Sequence, residues 1–277
     1  MKFRTEIEPL RGVAPIDCHS KIAMLGSCFT TEVGARLLAD GFDVMANPMG
    51  PLYNPASLAR VVNRALEGRA YAASDFARHD DAYHALDFPS RYQGDHPDVL
   101  AEKVNSDFQH LSMKLQAADL WIITFGTSHI FEYEGNSIVG NCHKLPTSKF
   151  TDRYLSVDEI VALWEPLTRG RRIIFTVSPI RHIADGLHGN QLSKARLLLA
   201  IDELCRAGKA EYFPSYEILL DDLRDYRFYT SDMKHPSETA VDYIYERFSE
   251  SYFTTATRTM ALAARKASLR SQHRPIL

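Results

Sequence analysis

Short apolar runs alternate with longer stretches of helical periodicity along this chain. Lys21–Leu25 (KIAML) is an apolar run ending at Gly26 and reads as a buried strand. Beyond it, Phe29, Val33, Leu37 and Leu38 recur at helical spacing until Gly41, which predicts a helix. Phe42–Met45 predicts a second strand, followed by a Pro/Gly/Asn loop, Asn47–Pro55. Ser57 is placed as the cap of a helix that reaches about Leu66. Pro97–Leu115 predicts another helix, and Leu120–Thr124 (LWIIT) is the strongest strand signal. Val157–Leu167 reads as helix, Arg172–Val177 as strand, Asn190–Ala207 as a long helix and Ala210–Phe213 as a last strand. Pro236–Tyr252 predicts a long helix with proline in its first turn.

Strands alternating with helices imply parallel βαβ units. The expected fold class is therefore α/β: a three-layer α/β/α sandwich around a mostly parallel sheet, with residues 1–277 as one domain. Two segments depart from the alternation. Ala72–Asp95, rich in Asp, His, Tyr and Gly, reads as a surface insertion. Within about 127–140, Ile130–Tyr133 and Ser137–Val139 read as a hairpin turning through Glu134–Asn136. The tail from about 253 carries Arg258, Arg265, Lys266, Arg270 and Arg274 without one acid. It reads as an amphipathic surface helix, with contact to an anionic surface as the alternative.

Composition changes this picture only by exclusion. The 277 residues are 45% hydrophobic and 24% charged, which rules out a disordered, collagen-like or coiled-coil chain. No run approaches the length of a membrane-spanning helix, and the N-terminal MKFRTEIEPLRGVAP has no apolar core, so no span and no signal peptide are expected. A net charge of -3 offers nothing to a phosphate backbone, so nucleic acid is not an expected partner. Cys18, Cys28, Cys142 and Cys205 form no CxxC pair, which suits reduced thiols and a cytoplasmic location.

The polar motifs follow the strands. Gly26-Ser27, Asn47–Asn54, Gly126–His129 and Ser178–His182 each lie just past a predicted strand end, where open parallel sheets bind ligands. Ser27 stands where unpaired N–H groups and the helix dipole favour negative charge, suiting an attacking alkoxide and equally a simple helix cap. Asp232 precedes His235 by three residues in Ser231-Asp232-Met233-Lys234-His235-Pro236-Ser237. That spacing lets a carboxylate reach Nδ1–H and leaves Nε2 to take a proton, though a loop-stabilising Asp–His bond has the same spacing. No Gly-x-Ser-x-Gly elbow occurs, which excludes an α/β-hydrolase arrangement.

In these blocks the chain resembles the SGNH (GDSL-like) hydrolase superfamily and, within it, the GSCFA domain family. The likeness is carried by Gly26-Ser27-Cys28-Phe29-Thr30, Asn47-Pro48-Met49-Gly50-Pro51-Leu52-Tyr53-Asn54-Pro55 and Asn141-Cys142-His143-Lys144. Ser178-Pro179-Ile180-Arg181-His182 and Asp232-Met233-Lys234-His235-Pro236-Ser237 complete it. The resemblance implies a triad of Ser27, Asp232 and His235. It also implies an oxyanion hole from the nucleophile's own N–H, Gly50 and an asparagine after the third strand. The chain departs there, reading Gly126-Thr127-Ser128; Asn141 stands as the replacement donor and Ser128 as the alternative. His143 is expected to line the pocket.

Cys28 is a rival nucleophile, because a helix N-terminus favours thiolate. Adjacent helical positions diverge by a quarter-turn or more, so Ser27 and Cys28 cannot both face one substrate. The resemblance favours Ser27 and leaves Cys28 to pack under the sheet. His129, Cys142 and His143 are zinc-accepting types without zinc spacing, so no metal and no cofactor are expected. Arg181 and His182 are candidates for holding a substrate carboxylate or sugar hydroxyl, with loop salt bridging the plain alternative. The expected function is hydrolysis of an O-acyl ester on a small molecule or carbohydrate, an O-acetyl sugar among the candidates. An O-acyltransferase with the same triad is the second expectation. A binding module on an inactivated hydrolase fold, suggested by the missing asparagine, is the third.

Overall fold

A computed structural model describes residues 4–135, 137–208 and 210–272. The chain opens on β1 (Lys21–Gly26), α1 (Cys28–Ala39), β2 (Asp43–Ala46) and α2 (Pro55–Leu66). Three short strands follow, β3 (Ala77–His79), β4 (Ala82–His84) and β5 (Gln93–Gly94), then α3 (Pro97–Ala117) and β6 (Leu120–Phe125). After β7 (His129–Tyr133), β8 (Ser137–Val139) and β9 (Phe150–Tyr154) come α4 (Val157–Thr168), β10 (Ile173–Val177), α5 (Gly186–Arg206) and β11 (Glu211–Phe213). The short α6 (Ser215–Glu217) runs into a π-helical turn at Ile218–Leu223, and α7 (Glu238–Tyr252) and α8 (Thr255–Gln272) close the fold.

The five long-range strands form one parallel sheet in the order β11-β10-β6-β1-β2. Both faces are covered, which is why β1, β6 and β10 read as unbroken apolar runs. Successive side chains alternate between two cores. Ala23, Leu25, Trp121, Ile123, Phe125 and Phe175 pack with Val62, Leu111, Trp164 and Leu197 from α2, α3, α4 and α5. Ile22, Met24, Leu120, Ile122 and Ile174 pack with Phe29, Leu37, Ile244 and Phe248 from α1 and α7. The expected three-layer α/β sandwich is the architecture observed.

Local capping differs from expectation at two helices. Asn54, not Ser57, caps α2: its Oδ1 accepts from the Ser57 N–H at 2.8 Å, and Pro55 fills the first position, where a missing N–H costs nothing. Pro236 lies outside α7, in a bridge to Tyr229, and Ser237 is the cap, accepting from Ala240 N–H at 3.3 Å.

The 72–95 segment is rooted in the body of the molecule. Its strands form a small antiparallel sheet, and Phe88 and Tyr92 are fully buried in the main core. The β7–β8 hairpin forms as expected, with Glu134 and Gly135 in left-handed turn geometry. The remaining turn residue, Asn136, lies outside the described residues. β9, not foreseen, adds a third strand to it. The basic tail is α8, docked by Arg265 on Asp40 at 2.7 and 2.9 Å; Arg274 lies outside the described residues. Among the described residues, no helix is long and apolar enough to cross a membrane.

Candidate active site

The sheet reverses its winding between β1 and β6, and the motifs converge on that crevice. β1 ends at Gly26 with φ +147°, where a Cβ would lie 2.2 Å from the Thr124 carbonyl oxygen. Only glycine lets β1 close on β6 this tightly while turning at once into α1.

Ser27 is consumed by that turn. Its N–H donates to Thr124 O at 3.3 Å, and its carbonyl accepts from Asn47 Nδ2 at 3.0 Å. Its Oγ donates to Ser178 Oγ, beyond β10, at 2.9 Å, and the residue is 1% exposed. Ser27 is therefore a pin between the ends of β1, β6 and β10. Among the described residues, no hydrogen bond joins His235 to either Ser27 or Cys28.

Cys28 points elsewhere, as adjacent helix-start positions must. Its half-buried Sγ lies 3.2 Å from the Tyr53 hydroxyl. It lines a cavity of about 400 Å³ together with Phe29, Ile180, His235 and Pro236. As the first residue of α1, its N–H has no acceptor within the helix, and the helix dipole favours negative charge there. Cys28 packs against the core on the α1/α7 face of the sheet, as expected, and as a residue it also lines the cavity that His235 lines, whereas Ser27 does not.

His235 and Asp232 form the pair that their spacing implied. The loop is closed by Thr230 N–H donating to His235 O and Ser237 N–H donating to Phe228 O, both at 2.8 Å, with Met233 left-handed at φ +58°. Asp232 Oδ1 accepts from Thr230 Oγ1 (2.6 Å), Lys234 N–H (2.9 Å) and His235 N–H (3.0 Å), and Oδ2 pairs with His235 Nδ1 at 2.6 Å. The Thr230 hydroxyl first, then those main-chain N–H groups and the imidazole, hold the Asp232 carboxyl well below its usual range. With Nδ1–H committed to a fixed carboxylate, Nε2 is the nitrogen left to exchange a proton. Arg181 N–H donates to Lys234 O at 3.2 Å, tying this loop to the one after β10.

The expected oxyanion donors are placed otherwise. The Gly50 N–H donates to Asn47 O at 2.8 Å, and a Cβ on Gly50 would lie 2.7 Å from Pro89 Cγ, so the glycine serves loop packing. The Asn141 Oδ1 accepts from the His143 N–H at 2.8 Å. His143 is buried against Phe88 O (2.8 Å) and His84 Nδ1 (3.3 Å), and burial, with His84 beside it, lowers its pKa. Ser128 is wholly buried, its N–H donating to Ser193 Oγ at 2.8 Å. None of Gly50, Asn141, His143 or Ser128 lines the cavity shared by Cys28 and His235.

The rival residues have partners too. His129 lies between Asp152 (2.8 Å) and Asp185 (2.9 Å), and these carboxylates raise its pKa against the opposing effect of burial. No group of His, Cys, Asp and Glu suited to a metal ion occurs among the described residues. The Arg181 guanidinium stacks 4.1 Å over the Tyr229 ring. His182 meets Tyr53 edge-on at 5.9 Å, and burial, with Lys194 adding to it, pushes its imidazole down to about 4.

Sequence reasoning passed over two residues here. Lys194 is 1% exposed, its Nζ donating to the Gly126 and Ser178 carbonyls at 2.6 and 2.7 Å, and burial pushes it down to about 7. It stitches together the ends of β6 and β10 beneath the site; nothing in a lysine's local sequence signals such burial. Tyr53 stood inside a quoted motif without a role.

No curated protein and no solved structure matches the chain. A family model does, the GSCFA family, over residues 21–248. That span runs from β1 through α7 and takes in Cys28, Tyr53, Asp232 and His235, and on it the chain belongs to the GSCFA family.

Proposed function

We propose that the protein hydrolyses a small acyl ester or thioester through an acyl-enzyme, with Cys28 as nucleophile, His235 as base and acid, and Asp232 as orienter. The observation that carries this reading is the single cavity lined by Cys28 and His235, set against the burial of Ser27 on Ser178. Set on the letters of the GDSL motif, Gly26-Ser27-Cys28-Phe29 puts Cys28 in the serine's place. The reading thus keeps the SGNH type of chemistry and changes its nucleophile.

In the proposed reaction, His235 Nε2 takes the thiol proton and Sγ attacks the carbonyl carbon, sending the π pair to oxygen. Collapse of the tetrahedral adduct expels the alcohol or thiol, protonated by the His235 imidazolium, and leaves an S-acyl enzyme. Water, deprotonated by Nε2, then adds to the thioester; the acid departs and the thiolate is regenerated. Asp232 steadies the imidazolium in both halves. The α1 N-terminus and its unpaired N–H groups lie where the oxyanion forms.

Turnover of a short-chain aryl ester by three single variants tests this, with circular dichroism confirming the fold. Cys28→Ala and His235→Ala are each expected to lose about 10³-fold or more, while Ser27→Ala stays within about tenfold of wild type. The reverse ranking, Ser27→Ala inactive and Cys28→Ala active, would restore the serine and overturn the reading.

A further inference from the structure

We infer that the Tyr53 hydroxyl is a catalytic hydrogen-bond donor, first to the Cys28 thiolate and then to the oxyanion formed beside it; this rests on the cysteine reading above. Cys28 Sγ is the only hydrogen-bond partner recorded for the Tyr53 hydroxyl among the described residues, at 3.2 Å. The main chain that carries the phenol is fastened from several sides. Its own carbonyl accepts the Gly126 and Thr127 N–H groups at 2.7 and 3.0 Å, fastening it to the end of β6. Leu52 N–H donates to Gly26 O at 2.9 Å, fastening the same segment to the end of β1. Asn54, the next residue, caps α2, and the ring meets His182 edge-on. Gly126 is small because of this contact: a Cβ there would lie 3.1 Å from the Tyr53 carbonyl oxygen.

Such rigidity is what an electrostatic donor requires, since a preformed dipole needs no reorganisation as charge develops. Burial, and then Cys28 beside it, raises the phenol pKa well above its ordinary value, so the hydroxyl keeps its proton and can donate. Tyr53 meets the sulfur at 3.2 Å without itself lining the cavity that Cys28 and His235 line. The asparagine donor implied after the third strand is missing, the Gly50 N–H is engaged by Asn47 O, and Asn141 does not line the cavity of Cys28 and His235. A protonated phenol 3.2 Å from the attacking atom fills that role. When the S–C bond forms, the carbonyl oxygen takes the electron pair within reach of that O–H. When the adduct collapses, the bond relaxes back to sulfur.

Tyr53→Phe removes the hydroxyl and keeps the ring. Two readouts are taken on wild type and variant: steady-state kinetics on the aryl ester, and the pH dependence of Cys28 alkylation by iodoacetamide. The inference expects kcat to fall by about 10²-fold with KM within about threefold. It also expects the alkylation profile to move to higher pH, because a thiolate that loses a donor is harder to form. A merely structural tyrosine would leave that profile in place, so an unmoved profile overturns the inference whatever the turnover. Failure of the cysteine reading is distinguishable, because it shows in Cys28→Ala turnover, which does not involve Tyr53.

Discussion

At the scale of single residues, the site separates two neighbours that sequence cannot separate. The Asp232–His235 pair was legible because its geometry is local: three residues and a closed loop bring carboxylate and imidazole to 2.6 Å. The choice between Ser27 and Cys28 was not. The proposed choice of Cys28 rests on Ser178, which lies 151 residues further along and accepts from the serine hydroxyl. The surroundings of Gly50 and Asn141 were illegible for the same reason, since their partners, Asn47 O, Pro89 and the His143 N–H, are set by loop packing. Because Asp232 fixes the imidazole tautomer, Asp232→Asn is expected to lower kcat by about 10²–10⁴ while retaining the loop bonds that an amide oxygen can still accept. Turnover within a few-fold of wild type would mean that His235 does not act through this pair.

At the scale of elements, strand and helix positions were largely legible because both faces of the sheet are covered. Burial on two sides leaves unbroken apolar runs, and the helices that cover them keep one apolar face. Ends were less so. Ser57 and Pro236 carry cap-like chemistry, yet Asn54 and Ser237 do the capping, a matter of which side chain meets a free N–H. The small sheet of β3, β4 and β5 escaped because its strands are too short for periodicity to register. Gly26 is the element joint on which the site depends. Gly26→Ala places a methyl against Thr124 O at a φ that L residues rarely adopt. A loss of about 3 kcal/mol or more is expected by chemical denaturation, or failure to fold. Asn54→Ala, an ordinary cap deletion at α2, is expected to cost about 1 kcal/mol.

At the scale of the whole molecule, the crevice between β1 and β6 gathers groups whose ionisation burial disfavours, and this gives the fold an acid limit. His182 has its imidazole at about 4, against 6.5 in the open chain. Between those values the unfolded chain binds the extra proton, so stability falls as pH drops from about 6.5 to about 4. One such group contributes up to about 3 kcal/mol across that window. Asp232, whose carboxyl is held low, adds a loss in the same direction at still lower pH. The slope of stability against pH between 6.5 and 4 is expected to be shallower in His182→Gln than in wild type; an identical slope would remove His182 from the acid limit. The central claim is that one thiol, and not the adjacent hydroxyl, carries the acyl group. The direct measurement is to acid-quench the protein during turnover of an aryl ester and map the acylated residue by peptide mass spectrometry. The account predicts the acyl group on Cys28 and none in His235→Ala; an acyl group on Ser27, or none anywhere in the folded wild type under turnover conditions, would contradict it.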